Sequence, residues 1–201
     1  MDPAVIAVAF GAIFLVELPD KTFVAALVLS TRYRPLAVWV GVGLAFLVQT
    51  AIACTVGGLV TLLPHVVVEV VAGVIFLAGA VLLLREAPKA DAAEAETEEE
   101  YAAKATSPKS GLAAVGASFL VLFAAEWGDL SQLLTISLVG RYHDAWSVFV
   151  GAWTALLVVS ALACVAGRFL LRHLRLSTIH YVGAAVCLLL ALLTAYQIVT
   201  G

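Results

Sequence analysis

Charged residues are scarce in this chain. Only 12% of its 201 residues are Asp, Glu, Lys or Arg, whereas 63% are hydrophobic. Soluble globular domains carry about 25% charged residues, so the composition excludes that class. The formal net charge of −3 comes from one acidic stretch and gives no basis for binding nucleic acid. We therefore expect an integral membrane protein whose surroundings are the lipid bilayer.

Cysteine and basic N-terminal residues are also scarce. Cys54, Cys164 and Cys187 lie within apolar segments and form no Cys-x-x-Cys pair, so neither a disulfide framework nor a zinc site is indicated. Residues 1–4 contain no Lys or Arg, and the apolar run that follows is too long for a signal peptide. We interpret that run as the first membrane span.

Long uncharged runs dominate the rest of the sequence. A hydrocarbon core of about 30 Å needs about 20 apolar residues per helix. Six runs meet this length, which predicts an all-α integral membrane protein with six transmembrane helices. Their approximate bounds are residues 4–30, 36–63, 66–85, 112–139, 145–170 and 178–200.

Basic residues in the connections predict the orientation. Lys and Arg concentrate on the cytoplasmic side of membrane proteins. Only Arg141 lies on one side, so we place that side and both termini outside and the central loop in the cytoplasm. The basic residues of the cytoplasmic side are Arg32, Arg34, Arg85, Lys89, Lys104, Lys109, Arg168, Arg172 and Arg175.

The two halves of the chain repeat each other. Four residues of the first half recur 109 positions later: Glu17, Asp20, Arg32 and Tyr33 match Glu126, Asp129, Arg141 and Tyr142. Further along, the offset becomes 110, and three glycines match: Gly41, Gly57 and Gly73 with Gly151, Gly167 and Gly183. This register predicts two three-span repeats, residues 1–85 and 112–201, joined by an acidic cytoplasmic linker over residues 86–111. Because three is odd, the second repeat enters the membrane from the opposite side, as in many secondary transporters.

Four carboxylates lie near the middle of spans one and four: Glu17, Asp20, Glu126 and Asp129. Each costs about 2.5–3.5 kcal/mol to insert, so they are expected to serve a function. The i, i+3 spacing predicts that each Glu and Asp share one helix face. If the repeat brings the two faces together, their oxygens form a site for a hard divalent cation such as manganese, calcium or magnesium.

Neighbouring residues extend this hypothesis. Thr22, Ser131 and Gln132 are further candidate metal ligands, although hydroxyls in membrane helices also bond to their own backbone. Pro19 and Gly128 occupy equivalent positions and disfavour a helix, so both helices are expected to open there, with a tolerated kink as the alternative. Lys21 has no basic counterpart, and it either neutralises a carboxylate or extends to the interface.

Four carboxylates that close together cannot all remain ionised without a cation, because mutual repulsion and loss of water both favour protonation. Binding of a divalent cation would expel protons, and protonation would release the cation. The cluster therefore predicts cation/proton exchange.

Both motifs resemble a known family signature. Residues 17–22, Glu-Leu-Pro-Asp-Lys-Thr, and residues 126–131, Glu-Trp-Gly-Asp-Leu-Ser, are similar to the doubled Glu-x-Gly-Asp-Lys/Arg-Thr/Ser motif of Golgi manganese and calcium exchangers and bacterial manganese exporters. The resemblance covers essentially the whole chain, although Pro19 and Leu130 depart from it. It implies a transporter, with Mn²⁺ or Ca²⁺ bound as substrate and no cofactor. The compact length and the absence of a recognisable targeting segment favour a bacterial plasma membrane as its location. The cation-binding residues that the resemblance implies are Glu17, Asp20, Glu126 and Asp129, assisted by Thr22 and Ser131.

Several alternatives remain open on the sequence alone. An exporter of amino acids or other small solutes would share the six-span layout, but only Lys21 could bind a substrate carboxylate. An intramembrane enzyme is disfavoured because all four histidines fall at span ends or in loops. A structural protein would leave the buried carboxylates unexplained. The linker is interpreted as solvated and partly helical or disordered, with cation sensing as the alternative, and the oligomeric state is open, a homodimer included.

Overall fold

The computed structural model describes residues 1–18, 20–104, 110–173 and 176–200, and this part of the chain is helical with no strand. A short 3₁₀ turn over Ala87–Lys89 precedes α5. The helices are α1 (Pro3–Glu17), α2 (Lys21–Arg32), α3 (Pro35–Val60), α4 (His65–Glu86), α5 (Ala90–Lys104), α6 (Leu112–Ala125), α7 (Leu130–Tyr142), α8 (Ala145–His173) and α9 (Leu176–Thr200).

Four helices, α3, α4, α8 and α9, are each long and apolar enough to cross a membrane. Runs 4–30 and 112–139, each expected to form a single span, each contain two helices. The chain bends by 70° between α1 and α2 and by 72° between α6 and α7. The described chain thus has four continuous candidate spans, or six if each bent pair counts as one. Apolar side chains on α4 and α9, such as Val74 and Leu192, are exposed, as a lipid-facing surface requires.

Glycines allow two equivalent close contacts between the halves. A Cβ atom added at Gly41 of α3 would clash with the Val115 carbonyl oxygen of α6, and one added at Gly151 of α8 would clash with the Ile6 carbonyl oxygen of α1. Small residues let helix backbones approach in lipid, where no hydrophobic effect drives association. The two contacts correspond under the sequence repeat, since both the glycines and their partners are matched.

Much of the predicted linker is helical and packed. Helix α5 lies against α2 and buries Ala90 and Tyr101. Burial, aided by the nearby charges of Glu100, Asp20 and Glu126, raises the pKa of the Tyr101 phenol to about 12. The partly helical interpretation of this segment is confirmed over residues 90–104, whereas residues 105–109 lie outside the described part.

The close contacts predict which glycines tolerate a side chain. Gly41→Ala and Gly151→Ala should each lower the free energy of unfolding by about 1–3 kcal/mol, because the helices must move apart to admit a methyl group. Gly58→Ala, on α3 with no atom within 4 Å of the added Cβ, is the matched control. The measurement is thermal unfolding in detergent, and equal melting temperatures for all three variants would contradict the packing described here.

Candidate metal centre

Both helix breaks fall within the Glu-x-x-Asp motifs. Glu17 is the last residue of α1, and Asp20 is the N-cap of α2, where its side chain accepts the Lys21 N–H at 2.7 Å. In the second half Glu126 follows α6 directly, and Asp129 caps α7 by accepting the Ser131 N–H at 3.3 Å. The prediction that Glu and Asp share one helix face is therefore wrong, because the break lies between them.

One backbone hydrogen bond recurs at both breaks. The Asp20 N–H donates to the Glu17 carbonyl at 3.0 Å, and the Asp129 N–H donates to the Glu126 carbonyl at 3.2 Å. Gly128 has a φ of +81°, a conformation that residues with a Cβ atom rarely adopt. The predicted opening at Gly128 is confirmed. Pro19 lies outside the described residues, but the helices on either side of it end and begin as that prediction requires.

These breaks bring all four predicted carboxylates together. One oxygen from each of Glu17, Asp20, Glu126 and Asp129 lies within 4.8 Å of the others. Glu17 and Glu126 are 0% and 2% exposed, whereas the two aspartates are half-buried. Bringing four acidic groups this close, with two of them almost fully buried, is unfavourable unless protons or a cation neutralise them.

The predicted hydroxyls contact the glutamates. Thr22 Oγ1 donates to Glu17 Oε1, and Ser131 Oγ donates to Glu126 Oε2 at 3.4 Å. The other oxygens, Oε2 of Glu17 and Oε1 of Glu126, are buried without a hydrogen-bond partner among the described residues. Buried polar atoms normally have partners, so each glutamate has one oxygen that is held and one that requires a proton or a cation.

Gln132, the remaining predicted ligand, lies beside the cluster with both ends of its amide engaged. Its Oε1 accepts the Gly128 N–H at 3.1 Å, and its Nε2 donates to Gln49 Oε1 at 3.4 Å. Gln49 in turn donates to the Phe123 carbonyl at 2.7 Å. The sequence analysis did not identify Gln49, because this residue lies in α3, outside the two repeated motifs, although a lone amide in an apolar run is itself a signal.

Cavities reach the cluster mainly from one side. One of about 220 Å³ is lined by Asp20, Asp129, Glu86 and His180. A neighbouring cavity of about 390 Å³ shares Asp20 and His180, extends to Arg85 and reaches α5. The exposed Lys21 lines both cavities.

His180 is only 7% exposed, and its place in both cavities was not expected from its position near the end of span six. Beyond Glu126, between α3, α7 and α8, the space is only about 10 Å³ and is lined by Gln49, Ser131 and Gln132. The cluster therefore adjoins the wider cavities on the side of the Arg85 end of α4, and the space beyond Glu126 is much narrower.

Comparison with known proteins identifies related sequences. The family model described as "Divalent cation/proton antiporter GDT1" matches residues 5–91 and 114–201. A GDT1-like protein of Synechocystis is 31% identical over 186 residues, which cover 89% of this chain and 90% of that protein. A Vibrio cholerae protein named "Putative manganese exporter" is 31% identical over 198 residues, covering 96% and 91% respectively.

A chloroplast GDT1-like protein of Oryza sativa is 30% identical over 213 residues, and the match spans 94% of this chain but only 60% of the plant protein. No solved structure matches this chain.

The cluster predicts stabilisation by divalent cations. We expect MnCl₂ to raise the melting temperature of the detergent-solubilised protein, since a ligand specific for the folded chain adds about 2.7 kcal/mol at a hundredfold excess over its Kd. Glu126→Gln should lose most of this shift. Glu69→Gln, which changes a half-buried carboxylate of α4 outside the cluster, should retain it. An undiminished shift in Glu126→Gln would exclude the cluster as the binding site.

Proposed function

Because the chain belongs to the GDT1 divalent cation/proton antiporter family, we propose that it exports Mn²⁺ in exchange for protons through the four-carboxylate cluster. The observation that carries this proposal is the convergence of Glu17, Asp20, Glu126 and Asp129 at the two helix breaks. The relative from Vibrio cholerae named as a manganese exporter supports the choice of cation. The family match also favours cation exchange over export of amino acids.

In the proposed mechanism, the carboxylates bind either a cation or protons. Oxygen ligands suit a hard divalent ion, and the unpartnered oxygens of Glu17 and Glu126 would complete its coordination with the aspartates. Thr22 and Ser131 orient the glutamates through hydrogen bonds from their hydroxyls. When these side chains rotate toward the cation, their hydroxyl oxygens become additional ligands. Protonation neutralises the same oxygens and releases the cation, so the two substrates compete for one site.

The proposed transport cycle uses two inverted repeats. The equivalent contacts at Gly41 and Gly151 and the equivalent breaks at the two motifs support this arrangement. Discontinuous helices at the membrane centre are a common feature of ion sites in such transporters. With the basic connections inside, the open cavities beside Asp20 face the cytoplasm, so this conformation is ready to receive a cation for export.

Transport in proteoliposomes tests the proposal. Purified protein should take up Mn²⁺ when a pH gradient is imposed with the vesicle interior acidic, and collapse of the gradient should stop uptake. Glu17→Gln and Glu126→Gln should each lower the rate at least about 100-fold, because truncating a buried charged partner costs about 3–5 kcal/mol. Parallel assays with Ca²⁺ identify the preferred cation.

Glu69→Gln provides the matched control, since it removes a carboxylate from a spanning helix but not from the cluster. Its uptake rate should equal that of the wild type. Full uptake by both Glu17→Gln and Glu126→Gln, or uptake indifferent to the pH gradient, would contradict the proposal.

A further inference from the structure

The break between α6 and α7 leaves backbone groups that need partners. The Phe123 carbonyl lies in the last turn of α6, and the Gly128 N–H lies in the break before α7. Neither can join the regular hydrogen bonding of a continuous helix. The exposed Gly128 lines the cavity beside Asp129, whereas the Phe123 carbonyl faces the buried Gln49, and a backbone group away from bulk water is costly to leave without a partner.

Two amide side chains satisfy both groups. Gln49 of α3, 5% exposed, donates to the Phe123 carbonyl at 2.7 Å, and Gln132 of α7 accepts the Gly128 N–H at 3.1 Å. The two amides are joined by the hydrogen bond from Gln132 Nε2 to Gln49 Oε1, at 3.4 Å. We call this chain of three hydrogen bonds the amide bridge. It links the end of α6 to the break through a third helix.

The amide bridge connects the backbone before Glu126 to the backbone after it. Phe123 precedes Glu126 by three residues and Gly128 follows it by two, so the bridge holds the backbone on both sides of this carboxylate. Gln49 also lines the narrow space beside Glu126 and Ser131. Movement of α3 would therefore be transmitted to the Glu126 side chain and its ligand oxygens.

The two amides of the bridge are not repeated at the matched positions of the sequence. Gln132 corresponds to Phe23 at the offset of 109, and Gln49 corresponds to Val159 at the offset of 110. Both are apolar side chains, 2% and 1% exposed. The amide bridge is thus not required by the repeat, and it distinguishes the Glu126–Asp129 half of the cluster from the Glu17–Asp20 half.

We propose that Gln49 is a positioning residue for divalent cation binding, which acts through Gln132 to hold Glu126 in place. This inference rests on the proposed function, since it assumes that Glu126 binds the transported cation. It assigns Gln132 to the support of the site instead of to direct coordination. A bridge that positions one carboxylate should affect cation affinity more than the maximal rate of transport.

The test compares Gln49→Met, Gln132→Met and the double variant in the Mn²⁺ uptake assay. Methionine keeps the approximate volume but removes the amide. Each single variant should raise KM about tenfold with little change in maximal rate, because it leaves a backbone group at the break without its hydrogen-bond partner. The double variant should be no worse than the more severe single one, since both break the same bridge.

Thr55→Val is the control, because Thr55 lies on the same helix, is exposed and bonds only to the Ala51 carbonyl of its own helix in the described contacts. Its KM should match the wild type. An unchanged KM in Gln49→Met, with or without reduced thermal stability, would overturn the inference, as would single effects that multiply in the double variant.

If Gln49→Met cannot be purified, Gln132→Met decides the question by the same KM measurement, since it leaves the bond from Gln49 to Phe123 available. Absence of Mn²⁺ uptake by the wild type would refute the proposed function itself, and the two failures are thereby distinguished.

Discussion

Polar groups inside a membrane need partners that water cannot provide, and the structure around Glu17 and Glu126 follows from that constraint. Each glutamate stands at the end of a helix that stops midway through an apolar run. Aspartate caps the following helix in both halves, and a hydroxyl binds one glutamate oxygen. Among the described residues, one oxygen on each glutamate has no hydrogen-bond partner, and a cation or protons would neutralise it.

The same constraint explains why the two halves differ in detail. A helix break can be satisfied in more than one way, and the second half uses the amides of Gln49 and Gln132 around a glycine with positive φ. Glycine at that position removes the steric penalty of the turn but leaves its N–H outside the regular hydrogen bonds of α6 and α7. The amide bridge supplies a hydrogen-bond acceptor for this N–H and, as we propose, also holds Glu126 in place.

The sequence predicted which residues form the cluster better than it predicted how they are arranged. Buried carboxylates are so costly that Glu17, Asp20, Glu126 and Asp129 could be identified individually, and the repeat indicated that they meet. The helix break that separates the Glu from the Asp in each motif was harder to predict, because the i, i+3 argument assumes a continuous helix. Gln49 was missed for a different reason: its role depends on contacts with Phe123 and Gln132, 74 and 83 residues away, which no local pattern reveals.

The central claim is that one cluster binds either a divalent cation or protons, and proton release on cation binding tests it most directly. Mn²⁺ can be added to the purified protein in weakly buffered detergent solution while a pH-sensitive dye is monitored. Our account predicts release of protons that saturates with Mn²⁺ binding and is largely lost in Glu17→Gln and Glu126→Gln. Saturable Mn²⁺ binding without proton release would contradict it.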